Sequence, residues 1–381
     1  MMVEETLAEL VRFDSVSSRP NREIISYAAA RCERLGMCVR LYPYADERGV
    51  EKVNMVAIIG PASPADEQVE LALVGHTDTV PYDPAWSGAL ELTERDDKLY
   101  GRGACDTKGF IAAALTALEE LDGSRLSRPL ALVLTADEEV GCMGAKRLAE
   151  TRSLSARYAI VGEPTSLRPM RAGKGYCLAE VTVRGREGHS AYPALGASAI
   201  FRAARLIHRI ERIAEELKAV DRQEHFEPPY TTLNVGVVSG GTAKNIIAGR
   251  CTFTLEWRPV PGQRAERVLE LVRAAIEDER RADADFDGEV KVGRLDESME
   301  TSADSPLVRL LEEATGQSAG TIAFGTEAPQ MIEMGAQAVV LGPGDIRVAH
   351  RTEEYVPRAD LSRCTEILSR AIRHFCGRDE G

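Results

Sequence analysis

The feature that most constrains this chain is a set of short, mostly apolar runs without polar alternation: Val69 to Val74, Leu130 to Thr135, Tyr158 to Val161 and Gln337 to Leu341. Runs of this kind read as strands buried on both faces. Helical patterns separate them. Val3 to Phe13 has helical spacing, and Asn21 to Leu35 stops at Gly36. The Ala- and Leu-rich stretch Thr107 to Leu121 ends before Asp122-Gly123, and a last helix is expected over about Leu361 to Phe375. With further strands at Cys38 to Tyr44 and Asn54 to Ile59, the pattern specifies an α/β fold. Its centre is a mixed, mostly parallel sheet with helices on both faces.

The texture changes near Gly173-Lys174-Gly175. Cys177 to Arg184 alternates apolar and polar residues, and a long helix follows over about Ala197 to Ala219. Strands at Thr231 to Val238 and Arg250 to Trp257, a helix from Ala265 to Arg280 and a strand at Glu289 to Val292 complete a β-α-β-β-α-β order. That order predicts an inserted α+β domain of split-βαβ, ferredoxin-like type over residues 178–293. Residues 1–177 and 294–381 then form the core domain. No internal repeat or low-complexity tract is visible.

A net charge of −13 argues against nucleic acid or an anionic membrane as partner, but leaves room for a small charged substrate. The eight cysteines form no CxxC pair, which predicts reduced thiols in a cytoplasmic protein. MMVEETLAELVRF is an acidic amphipathic stretch with no basic leader, and no apolar run approaches membrane-spanning length.

Acidic and His residues recur where the buried runs end: His76 and Asp78 in GHTDTV, Glu138-Glu139 in TADEEVG, and Glu163 in AIVGEPT. In open α/β sheets that edge gathers ligands. Asp106 in GRGACDTKG opens a helix, where it reads as a ligand or as an N-cap. Carboxylates packed this closely repel one another unless a cation separates them. Asp78, two residues past His76 on an extended chain, lies on the same face and can accept the other ring N–H. One of Glu138 and Glu139 can ligate while the other takes a proton from the attacking water, although such a pair is often only a solvated charge cluster. Cys105 beside Asp106 is a conceivable nucleophile or a small packing residue. GxxxxGK[ST], GxSxG and HExxH are all absent.

Taken together, GHTDTVP, GRGACDTKGF, TADEEVG, VGEPT, GREGHSAYP, TLNVGVVSGGTAKNIIAG, FGTEAP and LGPGDIRVAH resemble the dinuclear-zinc family of deacetylases, desuccinylases, aminoacylases and exopeptidases. The similarity runs from about residue 10 to the last residues, and FGTEAP resembles the deacetylase branch. The resemblance implies two Zn2+ per chain, with Co2+ a plausible substitute. His76 and Glu163 would hold one ion, Glu139 and His350 the other, and Asp106 would bridge. Glu138 would be the general base and Asp78 would orient His76. His189, in a lid and dimerisation domain, would stabilise the oxyanion of a neighbouring subunit's substrate. Asn245, Arg258 and Tyr192 would contact the substrate carboxylate. Arg258 has its own argument, since a guanidinium fork suits a carboxylate, though it reads equally as a surface ion pair. The implied reaction is hydrolysis of the amide of N2-acetyl-L-ornithine by a cytoplasmic homodimer in arginine biosynthesis. N-acetylcitrulline, other N-acyl amino acids and small dipeptides are rival substrates, and a non-catalytic binding protein is the rival class. Glu327 in FGTEAP would favour a cationic side chain or serve the structure alone.

Overall fold

A computed structural model of the chain describes residues 2–61, 68–121 and 126–378. The chain divides into two compact units. The first comprises Met1–Arg171, Thr301–Gly320 and Thr326–Gly381, and the second Ala172–Glu300 with Thr321–Gly325.

In the first unit the strands lie in the order Cys38–Ala45, Glu51–Ile59, Leu130–Thr135, Val69–His76, Ala156–Val161, Gln337–Val340. The last four are mutually parallel and the first two antiparallel, so the sheet is mixed. Alternate side chains of the buried strands go to opposite faces. Leu71, Leu73, Leu132 and Ile160 join one apolar cluster with the helices Val3–Arg12, Lys108–Glu119 and Arg358–Cys376. Ala72, Val74, Val133 and Val161 point the other way and are equally buried. On that side the helices Met143–Glu150 and Ala328–Glu333 pack on each other and on the sheet. Helices therefore cover both faces, which is why these runs tolerate no polar alternation.

Two details differ from the sequence expectation. The strand expected to stop at Val74 continues to His76, because Gly75 and His76 keep their pairing with Leu134 and Thr135. The helix expected over Thr107 to Leu121 spans Lys108–Glu119 and so ends two residues before Leu121, while Asp122-Gly123 lies outside the described residues.

The second unit runs strand, helix, strand, strand, helix, strand through its main elements. Its four-stranded antiparallel sheet has the order Thr232–Gly240, Arg250–Arg258, Tyr176–Arg184, Asp287–Asp296. Val181, Val183, Phe253 and Trp257 share an apolar cluster with Leu206 and Ile210 of the helix Ala199–Leu217 and Val272 of the helix Glu266–Ala282. Trp257 is fully buried and its indole N–H donates to the Ala265 carbonyl at 2.9 Å, so the largest core side chain leaves no polar atom unpaired.

Candidate metal centre

The parallel strands of the first unit deliver its acidic and imidazole groups to one edge. His76 ends its strand, Glu138 and Glu139 follow Thr135 by three and four residues, and Glu163 follows Val161 by two. Gly162, between Val161 and Glu163, has no alternative: a Cβ there would lie 2.2 Å from the Phe110 ring. Asp106 lies just before the helix Lys108–Glu119, and His350 lies in the connection after Gln337–Val340.

His76 and Asp106 are buried, and His76 Nε2 is 3.0 Å from Asp106 Oδ1. The other Asp106 oxygen, Oδ2, lies 3.1 Å from His350 Nε2, which is also 3.1 Å from Glu139 Oε2. One carboxylate thus turns its two oxygens toward two different imidazoles. Donor atoms of His76, Glu138 and Glu163 converge within 4.8 Å of one another, as do those of His76, Asp106 and Glu139.

The electrostatics are unbalanced. Burial pushes Glu138 up to about 8, with Glu139, Glu327 and Asp106 adding to the rise against the opposing field of His76. Burial also raises Glu163 well above its ordinary range and raises Glu139. Burial opposes the charged form of His76, yet its contacts with Asp106 and Asp78 raise it well above 6.5. Hydrogen bonds to the carboxylates of Asp106 and Glu139 raise His350 to about 10. Buried carboxylates outnumber the positive groups, so each either holds a proton or needs an added cation. A donor set made only of oxygens and imidazoles fits a divalent ion of the zinc type.

The surroundings hold these groups in place. Nδ1 of His76 is 2.9 Å from the Asp78 backbone carbonyl and 3.6 Å from Asp78 Oδ1, so the carbonyl is the nearer acceptor for the ring N–H. The Asp78 carboxylate instead accepts from Ser17 Oγ at 2.7 Å and from the N–H groups of Glu138 and Glu139 at 3.1 and 3.3 Å. It therefore fixes the turn that carries the glutamate pair. Cys142 Sγ donates to Glu138 Oε1 at 3.3 Å. Glu354 accepts from the N–H groups of Cys105 and Asp106. Sequence reading missed Ser17, Cys142 and Glu354, since none sits in a pattern that marks a polar residue as buried. Burial raises the Cys105 thiol well above its ordinary range, which keeps it protonated and inert as a nucleophile.

The remaining candidates belong to the second unit. Exposed His189 pairs with Ile246 in a two-residue strand, and its Nδ1 accepts from the Ala191 N–H at 3.1 Å. The Tyr192 ring lies 5.8 Å from the His189 ring, and the Asn245 carbonyl accepts from the Ser190 N–H at 3.0 Å. His189, Tyr192 and Asn245 are therefore neighbours. Arg258 is not among them. It ends the strand Arg250–Arg258, which spans roughly 25 Å, whereas Asn245 precedes that strand's start. Arg258 bonds Glu256 at 2.6 Å and the Ala323 carbonyl, and it stacks on Tyr176. Arg294 stacks on the same ring at 4.9 Å.

Residues 72–374 match the model of peptidase family M20/M25/M40. The chain is 56% identical over 372 residues to an acetylornithine deacetylase of Myxococcus xanthus, covering 98% of this chain and 97% of that protein. It is 37% identical over 363 residues to an acetylornithine deacetylase of Klebsiella pneumoniae, covering 93% and 91%. Among solved structures it resembles a tripeptidase of Staphylococcus aureus, with a TM-score of 0.77, 23% identity and coverage of 98% and 97%. It also resembles an M20 family metallo-carboxypeptidase of Sulfolobus solfataricus, with a TM-score of 0.75, 20% identity and coverage of 98% and 99%. At those identities the structural likeness speaks for the fold alone.

Proposed function

This chain belongs to peptidase family M20/M25/M40, and from that premise we propose that it is a metal-dependent amidohydrolase that converts N2-acetyl-L-ornithine and water to acetate and L-ornithine. The observation that carries the substrate is the 56% identity, over nearly the whole length, to the Myxococcus deacetylase. The reaction would serve arginine biosynthesis in the cytoplasm. Eight free cysteines fit a reducing compartment.

The proposed centre holds two zinc ions. His76 and Glu163 would hold one, Glu139 and His350 the other, and Asp106 would serve both. The outward turn of the two Asp106 oxygens toward separate imidazoles supports that division. Bound divalent ions supply Lewis acidity, which eases deprotonation of water and polarises the acyl carbonyl. Glu138 takes the proton of the attacking water and returns it to the departing amine. Asp78 fixes the His76 ring through its carbonyl and the glutamate pair through its carboxylate.

In the second unit, which we take as a lid and dimerisation domain, His189 donates to the developing oxyanion, while Asn245, Tyr192 and Arg258 receive the substrate carboxylate. The strand-length separation of Asn245 from Arg258 supports their meeting one small substrate from different copies of a homodimer. Exposed Ile200, Phe201, Val237 and Val238 supply an apolar surface of the kind that subunit contacts cover.

The test is a panel of N-acyl amino acids and dipeptides, assayed for amine release with Zn2+ or Co2+ and after chelation. N2-acetylornithine should have the highest kcat/KM, and chelation should abolish turnover. A higher kcat/KM for N-acetylcitrulline or a dipeptide would reassign the substrate. Absence of metal-dependent turnover on the whole panel would leave a binding protein on the same fold.

A further inference from the structure

We infer that Glu354 is a positioning residue that sets the spacing between Asp106 and His350. The inference rests on the metal-centre reading above. Glu354 is 1% exposed and lies four residues beyond His350. Its Oε1 accepts the N–H groups of Cys105 at 2.9 Å and Asp106 at 3.0 Å. Its Oε2 accepts from Arg102 Nη1 at 2.6 Å, and its backbone carbonyl accepts from the Gly101 N–H at 3.1 Å. Every one of these bonds ends on the loop that presents Asp106. The next residues, Tyr355–Pro357, extend the link by pairing antiparallel with Lys98–Tyr100.

A closed circuit results. The Asp106 backbone is held by the Glu354 side chain, the chain runs back from Glu354 to His350, and His350 Nε2 returns to Asp106 Oδ2 at 3.1 Å. His350 itself is half exposed, its side chain 50% accessible, so little packing restrains it. The circuit is what brings it to Asp106. A bound ion tolerates ligand displacements of only a few tenths of an ångström, so whatever sets this spacing sets affinity. Glu354 also carries a charge, which would favour a cation whatever its geometry. The two roles separate experimentally, because position needs an acceptor oxygen at this reach and attraction needs a negative charge.

Two double variants remove the buried ion pair whole, so that no lone charge is left inside. Arg102→Met/Glu354→Gln keeps an oxygen that can accept the two N–H groups, and Arg102→Met/Glu354→Leu does not. The readouts are Zn2+ dissociation constants by chelator competition and the melting temperature of each protein with and without metal. The Leu variant should lose about 10- to 100-fold in affinity for the ion served by His350, with a smaller metal-induced rise in melting temperature. The Gln variant should stay close to wild type. Equal retention in both would show that Glu354 positions nothing, and equal loss in both would show that its charge is what counts. Either result overturns the inference. A wild-type protein that binds no Zn2+ would instead sink the metal reading itself. If the Leu variant does not fold, Glu354→Asp replaces it. That change keeps the charge but withdraws the acceptor by roughly 1.5 Å. The same loss of affinity is expected, and wild-type affinity would overturn the proposal.

Discussion

His76 and His189 come from equally conspicuous motifs, yet their settings have little in common. His76 is buried, and both ring nitrogens meet acceptors of its own unit within 3.0 Å. His189 is exposed, and its ring meets only the Ala191 N–H and the Tyr192 ring of its own turn, while its backbone pairs with Ile246. The same contrast separates Asp106, whose backbone N–H and both carboxylate oxygens have partners in its own unit, from Asn245, whose proposed co-ligand Arg258 stands at the far end of a strand. A group that finishes its task inside one unit is locked there by hydrogen bonds before any substrate arrives. A group that awaits something else stays solvated beside apolar surface. Preorganisation of the first kind favours binding of ions and stabilisation of charge, whereas the second kind gives control through assembly.

If the locked region holds the chemistry, the largest effect should come from its base. Glu138→Gln is expected to keep both ions and substrate affinity while turnover falls about 10² to 10⁴-fold. Metal analysis beside steady-state kinetics checks this. Loss of metal in that variant, with retention in Glu139→Gln, would exchange the two roles.

The open region should matter somewhat less. His189→Ala is expected to cost about 10² to 10³ in kcat, the usual scale for an oxyanion donor. Mixing His189→Ala chains with Glu138→Gln chains should restore activity as subunits exchange, because some mixed dimers then hold one intact site. Verified mixed dimers as inactive as both parents would mean that His189 serves its own chain. Full activity of His189→Ala alone would place the residue outside catalysis.

The smallest effect concerns strain inside the locked region. Glu327 is 1% exposed, Oε1 has no hydrogen-bond partner, and burial pushes its carboxyl up to about 7. In the metal-free protein the unfolded chain ionises near 4.5 and the folded chain only near 7. The folded state therefore binds the extra proton across that window, and stability falls as pH rises through it, by about 3 kcal/mol in all. Glu327→Gln removes the penalty. Urea unfolding of the metal-free variant should match wild type below about pH 4.5 and exceed it above about pH 7. An advantage independent of pH would mean that Glu327 does not carry this strain.

The sheet strands were legible because burial on both faces erases polar alternation, and the candidate ligands His76, Glu139 and Glu163 were legible because they lie at or just beyond the ends of those strands, whereas Asp106 also read as an N-cap and His350 rested on fold position and the motif resemblance. The antiparallel strand Cys38–Ala45 lies at the sheet's edge, where none of its side chains is fully buried. Glu354 was not legible. In TEEYVP it looks like a solvated charge, and only the fold buries it against Arg102. Glu327 was visible as a motif residue, but its burial was not. Asp78 was legible as a partner of His76, yet its nearer contact is made by the backbone carbonyl, an atom that every residue type possesses. The distance between Asn245 and Arg258 required the register of the second unit's sheet, which sequence spacing does not contain.

The second unit's main segment interrupts the first unit's sequence, and that order has a consequence for how this protein is made. Its main segment, Ala172–Glu300, leaves the ribosome after His76, Asp106, Glu138, Glu139 and Glu163, but before His350. The helix Arg358–Cys376, which packs on Lys108–Glu119 and Val3–Arg12, emerges later still. A nascent chain thus carries the acidic half of the centre through most of translation, without its last imidazole or the helix that seals the core. Inserted domains that fold as they emerge can do so while the first unit waits. On the proposed ligand set, capture of an ion at full strength would be a closing event in biogenesis, and an arrested chain ending before residue 350 would expose a carboxylate-rich edge with no means of completing it.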